Sequence, residues 1–164
     1  MTNPLLDFSS LPRFDEVKPD HVAPAIRELL AGYRALVAQV IACDTPVTWD
    51  DFVQPMIDCG ERLSRAWGMV SHLHSVNDIA PWRDAYNELL LEISAFYAEV
   101  GQNLALFAKY KALAASDEFG RLSAVRKRII ENELRDFRLS GAELTEAQKP
   151  RFKEIQEQLS ALAA

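Results

Sequence analysis

Apolar residues in this chain recur at intervals of three and four through segment after segment, and nowhere do they alternate between turn residues. That period places side chains on one face of an α-helix, whereas a half-buried strand needs a period of two. Ile26, Leu29, Leu30, Tyr33, Leu36, Val37, Val40 and Ile41 form one such stripe. Phe52, Met56, Cys59, Leu63, Trp67, Val70 and Leu73 form the next, which runs to about residue 76. A third, the widest, carries Trp82, Tyr86, Leu89, Leu90, Ile93, Phe96, Tyr97 and Val100, and resumes after Gly101 at Leu104, Phe107, Tyr110 and Leu113. A fourth carries Leu122, Val125, Ile129, Leu134 and Phe137, and a fifth Phe152, Ile155, Leu159 and Leu162. The fold class expected is all-α, about five long helices packed as antiparallel hairpins.

The punctuation between the stripes fits. Asp44-Thr45-Pro46 ends the first, and Thr48 with Asp51 has the spacing of a capping pair that opens the second. Pro24 stands early enough in the first helix to delay its start, and Pro55 early enough in the second to kink it. Asn77-Asp78 makes the next break, with Asp78 as its cap. Ser116-Asp117 precedes the fourth helix, which should stop at Ser140-Gly141, because glycine accepts the left-handed conformation that ends helices. Thr145 with Gln148 opens the fifth, with Pro150 in its early turns. Ahead of all five, residues 1–17 hold Pro4 and Pro12 and no sustained period. They read as an extended arm laid on a larger surface through Leu5, Leu6, Phe8 and Phe14, leaving residues 18–164 as the helical domain. The fifth stripe reaches Ala164 with nothing to finish the helix, the pattern expected of a truncated chain.

Composition narrows function by exclusion. The formal net charge is −6, which opposes non-specific binding to nucleic acid or anionic membrane. The densest basic run, Arg126-Lys127-Arg128, is followed by Glu131, Glu133 and Asp136, the pattern of a solvated helix face. No uninterrupted apolar stretch is long enough to span a bilayer, and no basic start precedes an apolar run. Cys43 and Cys59 are too few for a disulfide framework and read as small buried hydrophobes. A cytoplasmic location follows as the expectation.

A search for chemistry returns little. The histidines are His21, His72 and His74. His72 and His74, two apart, point to nearly opposite sides of a helix and cannot chelate one ion, unlike the four-residue spacing of H-E-x-x-H. No Glu stands three before any histidine, and the two cysteines are isolated from one another, so neither a di-iron bundle nor a zinc ribbon can be built. There is no phosphate-cradling glycine loop and no G-x-S-x-G. The acidic pairs Asp50-Asp51, Asp117-Glu118 and Glu131/Glu133 suit exposed first turns and helix faces, and Trp49, Trp67 and Trp82 suit core packing. No catalytic, metal-binding or substrate-binding residue is assigned.

The literal sequence adds a resemblance. The start M-T-N-P-L-L, K-P-D-H-V-A-P-A-I at 18–26, V-T-W-D-D at 47–51, V-S-H-L-H-S-V at 70–76 and L-R-D-F-R-L-S-G-A-E-L at 134–144 are similar to the N-terminal region of the thimet oligopeptidase and neurolysin family of metallopeptidases. The resemblance implies a much longer parent, mostly helical, with a deep channel between two lobes. It implies a zinc site held by H-E-x-x-H and a further glutamate far downstream of these residues, where zinc polarises the scissile carbonyl and activates water. The substrates implied are short oligopeptides, cleaved signal peptides among them, and the present residues would form one wall of the channel. The partner implied is the catalytic domain of the same polypeptide, and without it the bare apolar stripes are expected to promote self-association. The alternative is a stand-alone helical interaction module with no enzymatic activity.

Overall fold

The computed structural model describes residues 3–77, 79–145, 147–152, 154, 155 and 158, and among them there are helices and turns and no strand. The chain divides into two compact units, Met1–Tyr97 and Ala98–Ala164. Two helices lie in the first, α1 (Pro19–Ala42) and α2 (Gln54–Val76); a third, α3 (Ala80–Gly101), holds the division in its last turn. The second unit holds α4 (Leu104–Ala114), α5 (Asp117–Arg121) and α6 (Ala124–Leu139). The all-helical expectation is met.

Helix α1 starts at Pro19 despite Pro24, whose missing amide removes one backbone bond without delaying the start. Its stripe buries Val22, Ala25, Ile26, Leu30, Val37 and Val40. Thr48 caps the next segment as its spacing predicts, its hydroxyl oxygen accepting from the Asp51 amide at 3.1 Å. Pro55 follows an irregular turn. Trp49–Val53 make a π-helical turn that runs directly on into α2, with the Gln54 amide reaching back to the Trp49 carbonyl. Pro55 sits at the second position of α2, where it has no amide to lose from a regular ladder. The α2 stripe buries Met56, Leu63, Ala66, Met69 and Val70 against α1, and the helix ends at Asn77. Asp78, expected as the following cap, lies outside the described residues.

Helix α3 completes the first unit and buries Trp82, Leu89, Ile93 and Phe96. Two sets of contacts fix it. Arg27 on α1 donates to Glu88 at 2.7 Å and to Glu92 at 2.6 Å, and further along both helices the Tyr33 and Phe96 rings meet at 5.1 Å. Residue numbers rise together along this seam, so α1 and α3 run parallel with α2 packed antiparallel to α1. On the α2 side, Tyr86 stacks on both Trp67 (4.8 Å) and His74 (4.2 Å), rings two turns apart on one face of α2.

The N-terminal arm lies on the helices of its own unit and is not extended throughout. Pro4–Leu6 form a turn of 3-10 helix capped by Asn3, and Leu5 is only 1% exposed. Leu6 and Phe8 are half-buried. Asn3 also donates to the His21 carbonyl at 2.8 Å, tying the arm to the first turn of α1. From there the arm runs along α2 in a defined register. Phe8 lies under the Arg62 guanidinium, the Ser10 carbonyl accepts from Arg65, and the Phe14 ring meets His72 edge-on at 5.3 Å.

The second unit corrects another expectation. The segment from Asp117 to Leu139, expected as one helix, is two, and Leu122 lies in the break between them while Val125, Ile129, Leu134 and Phe137 lie in α6. Leu122 is extended, and the Ser123 hydroxyl accepts from the Arg126 amide, restarting the helix as α6. Val125 is consequently 70% exposed, while Ile130, Leu134 and Phe137 are buried. These pack on Leu106, Phe107, Tyr110 and Leu113 of α4, the Phe107 and Phe137 rings stacking at 5.2 Å. Helix α6 stops where Ser140-Gly141 predicts. The Ala142 amide bonds the Phe137 carbonyl and the Gly141 amide the Arg138 carbonyl, with Gly141 at φ +89°. This is the paired closure that a left-handed glycine permits. Beyond it, the Thr145 amide donates to Gln148 Oε1 at 3.0 Å and residues 149–152 are helical, with Phe152 half-buried and Ile155 39% exposed. Leu159 and Leu162 lie outside the described residues.

Candidate functional site

Each histidine has a packing or capping partner, and the three do not converge. His21 accepts the Lys18 amide proton at its Nδ1 (3.2 Å), which makes the ring a cap for the first turn of α1. His72 turns outward to Phe14 on the arm, and His74 turns to Tyr86 on α3. The two neighbours thus serve different elements, as a spacing of two on a helix dictates. Among the described residues no three His, Cys, Asp or Glu side chains come together as a metal site. The donor set present does not fit a zinc ion, which needs three or four nitrogen, sulfur or oxygen ligands at about 2 Å.

The cysteines are half-buried, not the fully buried hydrophobes expected, and neither is bridged. Burial pushes the Cys59 thiol above its ordinary range, which keeps it protonated and a weak nucleophile. Cys43 Sγ lies 3.0 Å from the Thr45 hydroxyl. The carboxylates are likewise engaged or spread. Asp51 accepts from the Thr48 hydroxyl at 2.9 Å, and desolvation raises Glu133, which Asp136 raises further. The basic run on α6 is no phosphate track. Lys127 donates to the Gly120 carbonyl at 2.8 Å, finishing α5, and Arg128 reaches Glu131 at 3.4 Å.

The cavity that these elements do form lies between the arm and the first turn of α1. It measures about 1050 Å³ and is lined by Asn3, Leu6, Arg13, Glu16, Lys18 and His21 among others. Its charges are largely satisfied by one another. Arg13 bridges Asp7 at 2.8 Å and Glu16 at 2.9 Å, and hydrogen bonds from Ser9 hold the Asp7 carboxyl below its usual range. Ion pairs so exposed hold a loop in shape and contribute little to stability.

Two features of the first unit were not foreseen from the sequence. The Trp67–Tyr86–His74 stack had a signal in the seven-residue spacing of the two α2 rings. The Arg27 fork had one in the four-residue spacing of Glu88 and Glu92, which puts two acids on one helix face. In neither case does sequence spacing name the partner across the interface. The fork raises the Arg27 guanidinium pKa further and lowers the Glu92 carboxyl, both through their mutual hydrogen bonds. Its work is architectural.

Comparison with known proteins gives these packed helices a lineage. Oligopeptidase A of Haemophilus influenzae is 41% identical over 162 residues, a match covering 99% of this chain and 24% of that protein. Oligopeptidase A of Escherichia coli is 38% identical with the same coverage. The probable cytosolic oligopeptidase A of Arabidopsis thaliana is 33% identical, over 99% of this chain and 23% of that protein. The chain spans about a quarter of the length of the curated relatives it matches. No helix among the described residues is long and apolar enough to cross a membrane. The profile of the family described as neurolysin/thimet oligopeptidase, N-terminal domain, matches residues 26–149, and the chain belongs to that family.

Proposed function

We propose that these residues are the non-catalytic N-terminal part of a zinc metallo-oligopeptidase that hydrolyses short peptides, cleaved signal peptides included, in the cytoplasm. Their role is to form one wall of the channel that admits the peptide. The zinc and the groups that work with it belong to the catalytic domain of the parent polypeptide. The observation that carries this reading is the collinear match to oligopeptidase A over 99% of the chain at 38–41% identity. The side chains described above support it in the same sense: they cap, pair and pack, and a wall requires nothing more.

A graft tests the proposal. The 164 residues replace the matching N-terminal quarter of the Escherichia coli relative, and the product is assayed with a quenched fluorescent peptide. The expected result is chelator-sensitive hydrolysis within about tenfold of the unmodified relative, a loss of about 1.4 kcal/mol or less in transition-state stabilisation. A soluble, zinc-loaded graft without activity would count against the proposal and favour a helical module of another purpose.

A further inference from the structure

Helix α3 is apolar on two sides. Its inner side packs Trp82, Leu89, Ile93 and Phe96. On its outer side Leu91 is 76% exposed, Tyr97 49% and Leu90 36%, and Ser94 and Ala95 between them are exposed too. From Asn87 to Tyr97 the charged residues are Glu88 and Glu92, and both turn to Arg27 on α1. The outward face therefore runs for nearly three turns without a charge. A helix whose far face meets water carries charged and polar residues there, and one that is apolar all round is packed on both sides. Scattered exposed leucines are ordinary, but a continuous stripe marks an interface.

We propose that this face, Leu90, Leu91, Ser94, Ala95 and Tyr97, is the seat of a helix from the remaining part of an oligopeptidase A-like polypeptide, a permanent intrachain contact. The inference rests on the function proposed above. Length argues for that occupant, because the relatives match this chain from end to end and continue for about three times as much polypeptide again. Chemistry argues for it too. Permanent interfaces resemble a core cut in half, whereas transient ones keep a charged rim, and here the charges are drawn to one side. Ser94 and Ala95 are small, and small side chains at a contact allow a second helix axis to approach to about 8 Å.

Leu91→Asp tests the inference in two settings, the chain alone and the graft. In the chain alone, where Leu91 faces water, the melting midpoint is expected to move by no more than about 2 °C. In the graft the aspartate is buried without a partner, and the midpoint is expected to fall by about 5 °C or more, with Leu91→Met restoring it. A graft that proves inactive yet still loses midpoint to Leu91→Asp would sink the functional reading and support the docking face. An active graft indifferent to Leu91→Asp would overturn the inference. So would a dimer of the chain alone that Leu91→Asp dissolves in light scattering, since the face would then belong to a second copy.

Discussion

Phe96→Ala is expected to destabilise the first unit by about 3–5 kcal/mol, the range for emptying a fully buried aromatic site. Phe96 is 0% exposed and sits where α1 and α3 meet. Its ring contacts Tyr33 at 5.1 Å and Tyr97 at 5.6 Å, and the Arg34 guanidinium lies 5.2 Å from its centre. Alanine would leave a cavity that three flanking groups cannot close. Two of them, Tyr33 and Arg34, are held by the α1 backbone, which the Arg27 fork ties to α3 about two turns away. Phe96→Leu separates the contributions. It retains most of the volume and loses the ring contacts, for which about 1–2 kcal/mol is expected. Urea unfolding followed by circular dichroism measures both. A loss below about 1 kcal/mol for the alanine variant would show that α3 is not held at this point.

The second large effect is expected at the arm. Leu5→Ala should cost about 2–5 kcal/mol, because Leu5 is 1% exposed and its turn packs against both α1 and α2. Leu11→Ala is the matched control. Leu11 is 85% exposed, and its loss should stay within about 0.5 kcal/mol. Amide exchange adds a second readout. Once Leu5 is removed, the backbone of residues 8–14 is expected to exchange faster, since Phe8, Ser10 and Phe14 hold α2 through surface contacts of modest strength. Equal stability of the two variants would show that Leu5 does not anchor the arm.

That contrast shows where the residues alone sufficed and where they did not. Local signals sufficed for helix ends that are closed by their own neighbours. Thr48 bonds the amide three residues on, and Gly141 closes α6 through its own backbone. The wide stripes of α1, α2 and α3 were legible because burial repeats with the helical period. Leu5 was not, since a short apolar cluster without a period does not say whose core absorbs it. The break at Ser123 escaped because Leu122, Val125 and Ile129 also fit one uninterrupted helix. A serine cap wins only once Leu122 has been pulled out of line. The π-turn at Trp49–Val53 has no sequence signature beyond a proline that is tolerated in any first turn.

The site was legible in a different way. Residue spacing offered no metal or nucleophile motif and named no function, and the packed structure places His21, His72 and His74 in three separate roles. What names a function is descent. Literal segments such as 18–26 and 134–144 carry it, although their structural work is to start α1 and to end α6. Caps, ion pairs and stacked rings look alike whatever the fold they hold together is used for.

These residues, on this account, supply architecture and no chemistry. The most direct test is the purified chain itself, mixed with a quenched fluorescent peptide and supplied with zinc or cobalt. No hydrolysis above buffer is predicted with either metal, because no ligand set among the described residues converges on one ion. Turnover that survives repurification and disappears on adding chelator would contradict it.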